Sequence, residues 1–113
     1  MEEIALPNIG ERYITFPTYA IYRVMYLLNG YRVWVQDVAD NSSRAIHWAI
    51  EGQYYLRLPE KGEKYKGRVK KDTYKVVWVG KDKDDCCLKC VRTGFEVHVI
   101  WSRYFKSYER VMQ

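Results

Sequence analysis

Leu6-Pro7-Asn8-Ile9-Gly10-Glu11-Arg12-Tyr13, followed after eight residues by Tyr22-Arg23-Val24, decides how this chain is read, because it returns 52 residues later. The second occurrence is Leu58-Pro59-Glu60-Lys61-Gly62-Glu63-Lys64-Tyr65, again eight residues, then Tyr74-Lys75-Val76. Seven of the 19 aligned positions are identical and the two basic positions keep their charge, where unrelated stretches would share about one residue. Similarity at a fixed offset is the mark of a repeated structural unit. The 113 residues therefore predict two modules, 1–57 and 58–113. Each is small enough to be marginal alone and too small for a deep catalytic cavity.

Composition predicts a folded, strand-rich chain: 48% of residues are hydrophobic, with eleven tyrosines, four tryptophans and three phenylalanines. Disordered chains are depleted in these side chains, and aromatic and β-branched residues favour strands. No stretch approaches the roughly 18 consecutive apolar residues that span a bilayer, and Met1-Glu2-Glu3 lacks the basic-then-apolar pattern of a secretory leader. The expectation is a cytoplasmic protein without a membrane segment. Three cysteines, Cys86, Cys87 and Cys90, fall in one short cluster. That odd number is a poor disulfide framework and fits a reducing compartment. Charge is unequally shared: residues 1–57 hold five basic and six acidic side chains, residues 58–113 fourteen and eight. The net positive charge of the protein belongs to the second module.

Tyr19 to Leu28 is an apolar run broken by Arg23, and Asn29-Gly30 after it is a strong hairpin signal. Tyr31 to Val38 alternates, with Tyr31, Val33 and Val35 on one face and Arg32, Trp34 and Gln36 on the other. Ala45 to Ile50 reads as a further strand, and Tyr54 to Leu58 leads into the second Pro. In the second half, Lys66 to Asp72 reads as a basic loop, while Thr73 to Val79, Cys86 to Arg92 and Phe95 to Trp101 read as strands. Tyr104, Phe105, Tyr108 and Val111 have a helical spacing that predicts a short closing helical turn. Shifting the offset to 51 sets His47 on His98 and Tyr54 on Phe105, as if one residue were deleted in the second copy. Strands this short cover their edges by curling into a small barrel.

Gly-Glu-x-Tyr leading into a loop, strongly β-forming strands and a terminal aromatic turn resemble the SH3-like or Tudor-like small barrels, especially the single modules of small phage and mobile-element proteins. Leu58-Pro59-x-x-Gly62-x-x-Tyr65, Tyr74-Lys75-Val76-Val77 and Trp101-x-x-x-Phe105 carry the resemblance. It implies a mostly β tandem of two SH3-like barrels with a short C-terminal helical turn, and binding rather than catalysis. The alternative fold is a single α+β domain in which Tyr19 to Leu28 is a helix.

No phosphate-binding loop, dinucleotide fingerprint or HExxH motif is present in the sequence, and neither His47 nor His98 has a nucleophile or carboxylate at a diagnostic spacing. No catalytic residue, cofactor or metal is expected. Cys87-x-x-Cys90 with His98 has the look of half a zinc site, but the second ligand pair is missing. The sharper signal is Lys64, Lys66, Arg68, Lys70, Lys71 and Lys75, interleaved with Tyr65 and Tyr74. Lysines and arginines neutralise phosphates, and exposed aromatic rings stack on unpaired bases. A solvated hairpin that keeps strands from pairing edge to edge is the plain alternative.

The expectation is a non-enzymatic binding protein, of phage or mobile-element type by the resemblance, contacting nucleic acid or a nucleoprotein complex through its second module. The competing expectation is an inhibitor or adaptor that binds a host protein, with Trp34 and Trp48 as interface anchors. Ala45 to Ile50 carries no charge of its own. If it is an edge strand, it offers the seam of a homodimer that would bring two Trp48 side chains together.

Overall fold

The structure is a computed structural model that describes residues 5–112. The chain divides into two compact units, one ending at Leu58 and the other beginning at Pro59. The first unit contains β1 (Arg12–Thr15), β2 (Ile21–Leu27), β3 (Arg32–Asp37) and β4 (Ser43–His47). A one-turn helix α1 (Trp48–Glu51), a 3₁₀ turn (Gly52–Tyr54) and β5 (Tyr55–Arg57) complete it. The second contains β6 (Lys64–Gly67), β7 (Thr73–Val79), β8 (Asp85–Cys90) and β9 (Glu96–Ile100), followed by α2 (Trp101–Tyr104), a 3₁₀ turn (Phe105–Ser107) and β10 (Tyr108–Arg110).

Each unit is one antiparallel five-stranded sheet, in the order β4-β3-β2-β1-β5 and, correspondingly, β10-β6-β7-β8-β9. The SH3-like barrel is overturned. Within the first sheet β4 pairs only with β3 and β5 only with β1, so both remain edges, and β9 and β10 are the edges of the second. A barrel needs its two edges hydrogen-bonded to each other. Here the chain passes from one edge to the other through the helical segment instead. The α+β alternative fails too, because Ile21–Leu27 is a strand. Ala45 to Ile50 is only partly strand: the ladder stops at His47, and Trp48 begins a helical turn.

The repeat runs through the whole of both units. β1 pairs β2 as Arg12↔Arg23, Tyr13↔Tyr22 and Ile14↔Ile21, and β6 pairs β7 as Lys64↔Lys75, Tyr65↔Tyr74 and Lys66↔Thr73. The second strand carries a register shift at the same place in each copy, between Val24 and Tyr26 and between Val76 and Trp78. The turn that follows has four residues in the first unit, 28–31, and five in the second, 80–84. One residue is therefore inserted in the second copy, not deleted, and everything beyond the turn corresponds at an offset of 53. His47 corresponds to Ile100, not to His98.

Cores correspond position by position. Tyr13, Val24, Val33, Val35 and Ile46 form the buried cluster of the first unit, with Tyr22, Trp48 and Tyr55 against it. Their counterparts Tyr65, Val76, Cys86, Leu88, Val99 and Trp101 are all buried. Cys86 thus stands where Val33 does, as a small apolar side chain. The aromatic contacts repeat as well. Tyr13 meets Trp48 edge-on at 5.1 Å and Tyr65 meets Trp101 edge-on at 4.9 Å.

An ion pair locks each first strand to the last. Glu11 accepts from Arg57 Nε at 2.6 Å, from the Tyr13 hydroxyl at 3.0 Å and from the Asn8 amide at 2.7 Å. Glu63 accepts from Arg110 at 2.9 Å, from the Tyr65 hydroxyl at 3.3 Å and from the Glu60 amide at 2.9 Å. The Gly-Glu-x-Tyr motif is thereby explained as architecture. Its glycine takes φ +93° at Gly10 and φ +96° at Gly62, and a Cβ at either would touch nothing within 4 Å. Only the backbone resists substitution there. Gly10→Ala and Gly62→Ala are each expected to cost roughly 1–2 kcal/mol, nearly equally, as measured by thermal melting. A cost confined to one of them would break the equivalence of the two turns.

Candidate functional site

The period of two along a strand sends Tyr65 to the core face of the second sheet and Lys64 and Lys66 to the other. On that outer face Lys64, Lys75 and Lys89 are direct partners on three adjacent strands, and Glu96 ends the row. None of the three lysines has an ion-pair partner among the described residues. Like charges directly opposite each other destabilise a sheet. The same row in the first unit reads Arg12, Arg23, Gln36 and Ser43. There Arg12 is buried, and the Arg23 guanidinium donates to the Gly10 carbonyl at 3.0 Å. Lys64 and Lys75 also line an open hollow of about 430 Å³ with Gly62, Glu63, Arg110 and Val111.

A different surface lies at the far end of the core face. Two adjoining open hollows of about 300 and 340 Å³ share Lys70, Tyr74 and Phe95. Tyr108, Val97 and Val69 also line the first. Val69 and Phe95, both lining the first hollow, are 88% and 72% exposed. The loop that presents Val69, Lys70 and Lys71 is pinned at both ends. Gly67 N–H donates to the Asp72 carbonyl at 2.9 Å, Arg68 N–H to the Ser107 carbonyl at 2.9 Å, and Lys71 turns through φ +63°. Asp72 takes Arg92 in two bonds of 3.1 Å, tying this loop to the one before Phe95. Arg92 holds the Asp72 carboxyl below its usual range. Burial, then the neighbouring Tyr74, raises the Tyr108 phenol.

The first unit has the same backbone here and a different surface. Its loop, Phe16-Pro17-Thr18-Tyr19, makes the same bonds: Thr15 N–H to the Ala20 carbonyl and Phe16 N–H to the Tyr54 carbonyl. Tyr22 and Tyr55 stand 6.0 Å apart, and their counterparts Tyr74 and Tyr108 stand 5.7 Å apart. The position of Val97 is taken by Arg44, since Val35↔Arg44 corresponds to Leu88↔Val97. Arg44 lies over the Tyr22 ring at 5.6 Å and donates to the Tyr55 hydroxyl at 3.1 Å. Its other nitrogen pairs with Glu51 at 3.6 Å. One side chain of the chain itself therefore covers the aromatic pair in the first unit, and Val97 is too short to do so in the second.

The residues singled out from sequence are thus divided. Lys64, Lys66 and Lys75 share the outer face, while Lys70, Lys71 and Arg68 belong to the loop beside Tyr74, with Arg68 near Glu109 at 3.8 Å. Tyr65 is 4% exposed, its ring against Trp101 and its hydroxyl on Glu63, so no ring face is free for a base. Trp34 is half-buried in a row with Tyr26 and Ala45. Trp48 turns inward against Tyr13, with Nε1 donating to the Ala5 carbonyl at 3.1 Å. Cys87 is the strand partner of His98, whose Nε2 meets Asp85 at 2.8 Å, whereas Cys86 and Cys90 are buried. Among the described residues no three of His, Cys, Asp or Glu are grouped so as to hold a metal ion, and no helix is long and apolar enough to cross a membrane. Lys89, Phe95, Val97 and Tyr108 are not among the site residues singled out from sequence.

No protein-family model matches the chain. No curated protein matches it either.

Proposed function

We propose that the protein is a non-enzymatic binding protein whose second unit contacts nucleic acid through phosphates. The reading rests on the row Lys64–Lys75–Lys89, three like charges set side by side across adjacent strands. Such a row costs stability in the free protein and is relieved when a polyanion neutralises it. Lys66 lies on the same face beside its strand partner Glu109, while Lys70 and Lys71 give the loop beside Tyr74 a positive charge of its own. The first unit, with its slight negative balance, lacks an equivalent.

Titrating a short labelled DNA or RNA at two salt concentrations tests this reading. The log of the binding constant should fall with log salt by about 0.7–0.9 for every phosphate neutralised. Replacing Lys64, Lys75 and Lys89 together by Ala is expected to weaken binding and reduce that slope by roughly 2–2.7. No binding to either polymer at low salt would end the nucleic-acid reading, and an unchanged slope in the triple variant would remove the lysine row from it.

A second reading has its own observation. Tyr26, Leu27, Leu28 and Tyr31 are each exposed along the β2–β3 hairpin of the first unit, and Tyr26 is the strand partner of half-buried Trp34. Aromatic side chains of this kind anchor protein interfaces. A partner recovered equally with and without nuclease, and lost on Tyr26→Ser with Tyr31→Ser, would favour this reading.

A further inference from the structure

The two units differ at one place in a way that bears on what binds. In the first, a planar guanidinium from Arg44 lies over Tyr22 and is held by Tyr55 and Glu51. In the second, the matching rings of Tyr74 and Tyr108 have no such cover, and the hollow beside them is open and lined by exposed Val69 and Phe95. The charge around it is positive. Lys70 lines both hollows, Lys71 flanks it in the same loop, Arg68 of that loop is paired with Glu109 at 3.8 Å, and the one lining carboxylate, Asp72, is taken by Arg92. The acid that steadies the Arg44 guanidinium, Glu51, corresponds to Tyr104. A cationic guest would therefore meet Lys70 and a carboxylate already held by Arg92, whereas a flat, uncharged ring attached to an anion satisfies both the aromatic wall and Lys70.

We propose that this groove takes an unpaired base of a single-stranded nucleic acid, stacked against Tyr74 and Phe95, with the adjoining phosphate on Lys70. The inference rests on the nucleic-acid reading above and makes it specific for single strands. A paired base keeps both faces inside the duplex stack and cannot enter, while any unpaired base presents a face, so the preference is for strandedness more than for sequence.

The decisive variant is Val97→Arg, which transplants the cover of the first unit into the second. It adds a positive charge, so binding that is only electrostatic should stay the same or tighten. Blocking the groove should instead weaken it. Anisotropy titrations with labelled poly(dT), an abasic strand of equal length and a blunt duplex read the difference. Val97→Arg is expected to weaken poly(dT) binding roughly tenfold, the loss of one stacked base, and to leave the abasic strand bound as before or more tightly. Phe95→Ala alters a side chain 72% exposed and outside the core, and should produce the same loss for poly(dT) alone. Far-UV circular dichroism and melting temperature check that both variants fold. Poly(dT) binding that is unchanged or tighter in both variants overturns the groove as a base site. Equal affinity of the wild-type protein for poly(dT), the abasic strand and the duplex also overturns it, yet leaves the electrostatic reading standing. Failure of all three to bind at low salt overturns both.

Discussion

Trp101→Ala is expected to cost about 3–5 kcal/mol, the range for removing a large buried aromatic side chain. Trp101 is 4% exposed and meets Tyr65 edge-on at 4.9 Å and Tyr108 in a stacked arrangement at 5.8 Å. It follows directly on the last residue of β9, and its N–H donates to the Asp84 carbonyl at 2.9 Å. The ring therefore fills the space under the sheet at the point where the chain leaves one edge to reach the other. A unit of this size has a small margin of stability, and a loss of that size should leave it unfolded. Urea denaturation followed by circular dichroism measures the change, and Trp101→Phe, which keeps an aromatic ring, should recover part of it. A loss below about 1 kcal/mol would show that the cavity collapses or that the ring carries little of the core.

Glu11→Ala should be the most damaging single change in the first unit outside its apolar core. The Glu11 side chain is 9% exposed and that of Arg57 19%. Removing the Glu11 carboxylate takes an acceptor from the Arg57 guanidinium, the Tyr13 hydroxyl and the Asn8 amide, while Arg57 keeps its 3.4 Å bond to the Leu58 carbonyl. Breaking a buried ion pair from one side typically costs about 3–5 kcal/mol; with Arg57 still touching water, about 2–3 kcal/mol is expected. The same group gives a pH signature. Burial alone would raise its pKa, but the Asn8 amide, Arg57 and Tyr13 outweigh burial and hold it below the ordinary value. A carboxyl with a lowered folded pKa stabilises fully above the unfolded value of about 4.3 and loses that contribution as pH falls through the folded value. The stability gap between wild type and Glu11→Gln should therefore be constant near neutrality and shrink on acidification below about pH 4. A gap that widened toward acid would contradict the arrangement around Glu11.

The repeat from Leu6 to Val24 and from Leu58 to Val76 was legible because those segments contain no insertion, and the hairpin after Leu28 was legible from Asn29-Gly30. Beyond the second strand the register was lost to one extra residue in the 80–84 turn. At the true offset Trp48 falls on Trp101, Tyr55 on Tyr108 and Arg57 on Arg110, all identical, but the coincidence of His47 with His98 drew the alignment the other way. β10 was hidden because Tyr104 ends one helical turn and Phe105 begins the next, and the spacing to Tyr108 continues the pattern past the point where the chain straightens. Sheet closure had no local signal, since it depends on whether two distant edges hydrogen-bond. The outer lysines could have been separated from Tyr65 by strand alternation alone. The groove could not, because Tyr74, Phe95, Val97 and Tyr108 come from three strands and the end of a loop, and only the matched position of Arg44 reveals what is missing there.

The register shift shared by β2 and β7 has a practical consequence. It sets the twist and the pairing of the hairpin before the chain reaches its tip, with Val24↔Val35 and Val76↔Leu88 already in place on the core side. The middle of the tip has no register left to define, while its last residue, Tyr31 or Asp84, accepts the Trp48 or Trp101 amide. Lengthening a surface loop adds only about 0.6 kcal/mol per doubling. The middles of segments 28–31 and 80–84 are thus natural grafting points for an epitope or a reporter, and the chain has already accepted an insertion of one residue at one of them.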